Sequence, residues 1–188
     1  MEDLFFNVAT RRKALKGAAE EYSRVLDVLG RYAARNAHAC FSCRKQGEAR
    51  ADLHTSAGGD RREAVRAVFG AAAAAALVPI AASRQRPSEG AAGLPGGGGY
   101  SLEGFISGAN YAAKKTTFVL FINERLVDCA PLKRAAEAVY AALLPKADKP
   151  FVFLSLSLPP EDVDVNVHPT KKEVTFLDQE LIIESVQV

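Results

Sequence analysis

The sequence predicts an α+β layer structure: a mixed β-sheet with helices packed on one face. Three observations carry this prediction. Apolar residues recur at helical spacing over residues 20–35 and again over 131–143. The stretch TFVLFIN (117–123) is apolar almost throughout, the pattern of a strand covered on both faces. Residues 163–167 alternate strictly, with Val163, Val165 and Val167 on one side and Asp164 and Asn166 on the other, the pattern of a strand with one buried face.

Taken in order, residues 2–8 read as an extended aromatic segment, and 11–16 as a short helix that Gly17 interrupts. In 20–35 the stripe is Tyr22, Val25, Leu26, Leu29, Tyr32 and Ala33. Gly30 weakens the helix slightly and Asn36 stops it. Segments 39–44 and 48–53 read as two short strands joined by Lys45-Gln46-Gly47, a hairpin. TSAGG (55–59) has linker composition and places a domain boundary at 56–60. Residues 61–69 read as a second helix, with Val65, Val68 and Phe69 on one side and Gly70 as its stop. The alanines of 71–76 favour helix but carry little packing information. Residues 83–99 are rich in Gly, Pro and Ser and read as a flexible loop. Its four consecutive glycines lack the Gly-Lys-Ser/Thr of a phosphate loop.

After Tyr100 the order is strand (102–107), strand (117–123), helix, strand (151–158), strand (163–167) and strand (172–177). Pro131 suits the first turn of the helix, and Leu132, Ala135, Ala136, Val139, Tyr140 and Leu143 form its stripe. Pro159-Pro160 ends the strand at 151–158. Pro169 cannot continue a ladder, so Thr170 and Lys171 lie on a turn.

With 188 residues, 48% of them apolar and 24% charged, the chain can build a buried core. A net charge of +2 excludes a histone-like tail and an acidic disordered protein. The longest apolar run, 71–78, falls far short of the ~20 residues of a membrane span. The N-terminal residues carry neither the basic region nor the cleavage site of a secretory signal. Three cysteines, Cys40, Cys43 and Cys129, cannot all pair within the chain, which favours a reducing compartment, cytosol or nucleus.

Several constellations invite chemistry. Cys40 and Cys43 have a zinc spacing, with His38 and His54 nearby. Residues three apart on a strand point to opposite faces and a second Cys pair is missing, so these cysteines read as buried apolar residues and no metal is expected. Cys129 or a serine would need a histidine partner as a nucleophile, and no GxSxG elbow exists, so no catalytic residue is assigned. The basic clusters Arg11-Arg12-Lys13, Arg44-Lys45, Arg61-Arg62, Lys114-Lys115 and Lys171-Lys172 read as solvated surface unless several share a face. In 164–171, Asp164, Asn166 and His168 line one side of a strand, and proline then releases the chain into a turn bearing Lys171. An ammonium held this way is a compact point charge suited to phosphate oxygens; a plain surface lysine is the other reading.

VDVNVHPTKKEVTF (163–176) resembles the signature of the MutL homologues, the DNA mismatch-repair proteins. DLFFNVATRRKALK (3–16) resembles their second signature, with Ala9-Thr10 where the family has Pro-Ala. EYSRVLDVLGRYAARN, FSCRKQGEARADLHT and NYAAKKTTFVLFINERLVDCAPLKRAAEAVYAALLPK are also similar, most of all to eukaryotic members. Outside roughly 71–99 the resemblance covers the chain.

The resemblance implies a fold and a function. Residues 1–55 are expected to be the C-terminal remnant of a GHKL ATPase domain, 56–60 a linker, and 61–188 a transducer resembling ribosomal S5 domain 2. The ATPase motifs of the family, a Glu-x-x-x-Asn helix, Asp-x-Gly-x-Gly and a Gly-Phe-Arg-Gly-Glu-Ala-Leu lid, do not occur in the chain. It is therefore expected to be a truncated piece, inactive alone, with ATP and Mg bound only by the intact protein. By its match to the motif, Lys171 would sense the γ-phosphate, with Asn166 and His168 framing its loop. Arg125, in Asn123-Glu124-Arg125, matches a DNA-contact region in which Glu124 stands where the family has glycine; Lys114 and Lys115 are further DNA candidates. Implied partners are DNA without sequence preference, a second MutL homologue in a heterodimer, and a MutS homologue, in the nucleus. The alternatives are a non-enzymatic S5-like nucleic-acid-binding module and a GHMP-kinase-like enzyme. The second would need a glycine-serine-rich phosphate loop that is missing.

Overall fold

The structure, a computed structural model, describes residues 5–84, 99–144, 149–164, 175–176 and 179–187. The chain divides into two compact units, Met1–Gly70 and Ala71–Val188.

In the first unit, residues 5–7 form a turn rather than the expected extended segment, with Phe5 at a φ of +63. Helix α1 (Ala9–Ala14) follows, then helix α2 (Ala18–Arg35). Glu20 and Glu21 occupy the first turn of α2, where its dipole favours negative charge. Pairs one turn apart line its outer side: Lys16 to Glu20 at 2.8 Å, Arg24 to Glu20 at 2.9 Å and Arg31 to Asp27 at 2.9 Å. Asn36 ends the helix, and its Nδ2 donates to the Tyr32 carbonyl at 2.9 Å. Gly30, Ala33 and Ala34 are buried. A Cβ on Gly30 would sit 2.7 Å from Val68 Cγ1, so this glycine permits the close approach of helix α3 (Arg61–Phe69). Because α3 packs on α2, the units divide at Gly70, later than the linker expected at 56–60. The hairpin exists but is shorter than expected. Strands β1 (Ser42–Cys43) and β2 (Leu53–His54) pair Ser42 with His54 and Cys43 with Leu53.

The second unit begins with helix α4 (Ala71–Ala75), where the alanines favour helix, followed by strand β3 (Leu77–Arg84), which the sequence reading missed. Ser83 and Arg84 therefore lie in a strand rather than at the start of a loop. Strand β3 is an edge strand, the one place in a sheet where Pro79 is tolerated. Strands β4 (Tyr100–Ser107), β5 (Thr117–Ile122), β6 (Arg125–Val127) and β7 (Phe151–Ser157) complete a five-stranded sheet in the order β3-β4-β7-β5-β6. Strands β5 and β7 run parallel and the other neighbours antiparallel, so the sheet is mixed as expected. Helix α5 (Ala130–Leu143) and helix α6 (Gln179–Gln187), the latter also unforeseen, pack together. Leu132, Ala136, Tyr140 and Ile182 of these helices join Leu102, Leu120, Ile122, Val152, Leu154 and Leu156 of the sheet in one core. Side chains alternate along a strand, so Val119, Phe121, Phe151 and Phe153 lie on the other face, and they too are fully buried. A 3-10 turn (Pro160–Asp162) leads from β7 to strand β8 (Val163–Asp164), which pairs antiparallel with β9 (Thr175–Phe176). No helix among the described residues is long and apolar enough to cross a membrane.

Candidate nucleic-acid interface

Arg125 sits where a buried strand turns back on itself. Val119, Leu120, Phe121 and Ile122 of β5 are at most 2% exposed, so packing fixes the strand along its length. Ile122 pairs with Arg125, which leaves Asn123 and Glu124 as a two-residue loop. Such loops match the twist of their strands when both residues have positive φ, and here the values are +47 and +66. Asn123 tolerates this region; glycine is the usual second residue, and Glu124 occupies its place. The Asn123 side chain also ties the loop to the end of β7: Nδ2 donates to the Leu158 carbonyl at 2.9 Å, and Oδ1 accepts from the Leu158 N–H at 2.9 Å. The Asn123 N–H donates to the Leu156 carbonyl at 2.9 Å. Arg125 is exposed on this anchored tip.

The other DNA candidates lie elsewhere. Lys114 and Lys115 are exposed, in the segment just before β5. They flank the opposite end of that strand from Arg125, roughly 20 Å away at ~3.3 Å per residue. The three cations therefore form two separate points, not one patch.

Lys171, Asn166 and His168 lie outside the described residues. Their flanks are described: Val163 packs half-buried against the core, Phe176 is buried, and the two are paired across β8 and β9. Asp162, just before β8, is 7% exposed, and its Oδ2 has no hydrogen-bond partner among the described residues.

Cysteine chemistry is confined. Cys40 is exposed and Cys43 half-buried, which corrects the expectation that both are buried; Cys129 alone is. Burial pushes the Cys129 thiol up, against the Leu132 backbone N–H and the Arg134 charge, so it stays protonated and a poor nucleophile. Tyr22 donates to Asp52 Oδ2 at 2.6 Å; that bond, with burial and Cys43 beside it, raises its pKa. Tyr140 donates to the Ser107 carbonyl at 2.5 Å, and Ser107 Oγ accepts from the Phe151 N–H at 3.1 Å, joining α5, β4 and β7. Among the described residues no group of three or more His, Cys, Asp or Glu side chains is placed to hold a metal ion.

Sequence reasoning missed the anchoring role of Asn123. The available signal was an asparagine opening a two-residue gap between apolar runs.

Residues 65–188 match the family described as "DNA mismatch repair protein, C-terminal domain". The chain is 36% identical over 201 residues to the DNA mismatch repair protein Mlh1 of Dictyostelium discoideum, covering 100% of this chain and 23% of that protein. It is 39% identical over 187 residues to the DNA mismatch repair protein MLH1 of Saccharomyces cerevisiae, covering 99% and 23%. It thus spans about a quarter of the length of these curated relatives. Among solved structures, the N-terminal domain of a DNA repair protein shares the fold, with a TM-score of 0.74 and 23% identity over 98% of this chain and 56% of that one. The Aquifex aeolicus MutL ATPase domain complexed with ADP matches with a TM-score of 0.56 and 26% identity, covering 84% of this chain and 51% of that one.

Proposed function

The chain belongs to the MutL family of DNA mismatch repair proteins, and on that premise we propose that it is the region that passes the family's ATP cycle on to DNA. The second unit acts as an S5-like transducer, and the first unit closes a GHKL-type ATPase domain. The observation that carries the proposal is the exposed Arg125 on a tip anchored by Asn123. A guanidinium presented this way suits a phosphate oxygen, a contact that carries no sequence information. DNA binding is then sequence-independent and salt-sensitive, with Lys114 and Lys115 as a second, separate contact.

Lys171 is the proposed γ-phosphate sensor, in a loop framed by Asn166 and His168. The ADP complex of the Aquifex relative supports nucleotide binding as a property of such domains. The residues of this chain do not by themselves fit ATP with Mg. The sequence has neither Glu-x-x-x-Asn nor Asp-x-Gly-x-Gly, and the described residues hold no carboxylate cluster. Lys171 would add one phosphate contact to a pocket built by other segments. The same reading gives the longer protein a second MutL homologue and a MutS homologue as partners, and the nucleus as its place of action.

The test separates sensing from folding. Chain 1–188 releases no phosphate from ATP above its Lys171→Ala control, because a lysine supplies neither a base nor a metal ligand. Lys171→Ala leaves the melting of chain 1–188 within about 0.5 kcal/mol of the parent, as surface substitutions do. In a chain extended upstream through the family's ATPase segments, the same change lowers ATP turnover. Unchanged turnover there, or a large loss of stability in chain 1–188, refutes the sensor role.

A further inference from the structure

The Arg125 tip is bonded to the point where the chain leaves the sheet for β8. Three hydrogen bonds of 2.9 Å join Asn123 to this place: its amide donates to and accepts from the Leu158 backbone, and its N–H donates to the Leu156 carbonyl. A primary amide serves both backbone groups of one residue because it carries a donor and an acceptor side by side. Leu158 is 8% exposed and packs in the core. Pro159 and Pro160 follow it, each with φ fixed by its ring, so little slack separates Leu158 from the turn. The Asp162 N–H donates to the Pro159 carbonyl at 3.0 Å and the Val163 N–H to the Pro160 carbonyl, which closes the turn onto β8. Strands β8 and β9 then pair, and in the sequence they bracket residues 165–174.

We propose that Asn123 is the positioning residue that couples the Arg125 tip to the β8–β9 pair. The inference rests on Arg125 as a DNA contact. A phosphate engaging Arg125 loads a loop whose only side-chain amide grips Leu158, and the two prolines carry the displacement to β8. The connection is a contiguous set of backbone bonds, and its coupling is reciprocal: whatever restrains β8 and β9 alters DNA affinity at the tip by the same factor. Asn123 itself need not touch DNA.

Hydrogen exchange of the β8 and β9 amides, with and without a short mixed-sequence duplex, tests this on chain 1–188. Asn123→Gly keeps the positive φ and removes the side-chain bonds. Asn123→Asp keeps the acceptor for the Leu158 N–H and loses the donor to its carbonyl, and it is read the same way if the glycine variant melts early. The expected result is that duplex slows exchange in the parent chain. In either variant that slowing shrinks at least about fivefold, the low end of coupling between sites. Affinity for the duplex stays within about threefold, because Arg125 remains. A response preserved in both variants overturns the proposal, as does a parent chain that binds duplex with no change at β8 and β9. Arg125→Ala is the control for the premise: if it binds duplex as the parent does, the DNA reading of the tip fails rather than the coupling.

Discussion

At the hairpin tip Glu124 holds a φ of +66, a conformation that costs an L-residue with a Cβ about 1–2 kcal/mol. Glu124→Gly removes that cost, offset by the greater freedom of glycine in the unfolded chain. It is expected to raise stability by about 0.5–1 kcal/mol in thermal melts. It also removes a carboxylate beside Arg125, so duplex affinity should rise, most clearly at low salt. Lower stability together with unchanged affinity would show that Glu124 makes contacts worth more than the strain. Cys129 gives a pH test. Burial first, opposed by the Leu132 N–H and Arg134, lifts its thiol above the ordinary 9.0. As pH rises the unfolded thiol ionises before the folded one, so stability is full below about pH 9 and is lost as pH climbs through the folded pKa. Tyr140, raised by burial, adds a loss of the same sign from its ordinary 10.0 upward. Melting temperature should fall above pH 9, and less steeply in Cys129→Ala; parallel curves for the two proteins would remove the thiol from the account. At this scale the sequence was partly legible. Asn123-Glu124-Arg125 was recognisable by its resemblance to a DNA-contact region, but the bond from Asn123 to Leu158 joins residues 35 apart and leaves no local pattern.

Among the elements, β4 depends most sharply on one residue. A Cβ on Gly104 would lie 2.0 Å from the Phe153 carbonyl oxygen and 3.1 Å from the Leu154 Cα, in the paired strand β7. Both are backbone atoms of a buried ladder and cannot move aside. Gly104→Ala is expected to cost at least about 3 kcal/mol, the upper part of the range for overpacking. Chemical denaturation measures this, and a loss under 1 kcal/mol would mean that the two strands separate more easily than their pairing implies. The helices were the most legible elements. The stripe over 20–35 and the Pro131 start mark α2 and α5 because helical amphipathicity is written within a few turns of sequence. Strand β3 was not legible. Its residues, LVPIAASR, contain a proline and three small side chains, and only the ladder to β4 makes them a strand. Gly30 misled in the other direction. It reads as a weak point in a helix, whereas the structure uses it for the contact with Val68.

For the whole molecule, the α+β class and the mixed sheet followed from periodicity, whereas the packing of α3 on α2, which puts the division of the two units at Gly70, leaves no mark in composition. The proposed function places an exposed cation at a tip tied to the end of β7, from which a short turn leads to β8. The most direct measurement of its central claim is a salt titration of duplex binding by chain 1–188 and its Arg125→Ala variant, repeated on unrelated sequences. The account predicts that affinity falls linearly with the logarithm of salt. Arg125→Ala should weaken binding about equally on every sequence and lower the magnitude of the salt slope by about one, the loss of a single phosphate contact. Binding that ignores salt, that favours one sequence, or that is the same without Arg125 would contradict it.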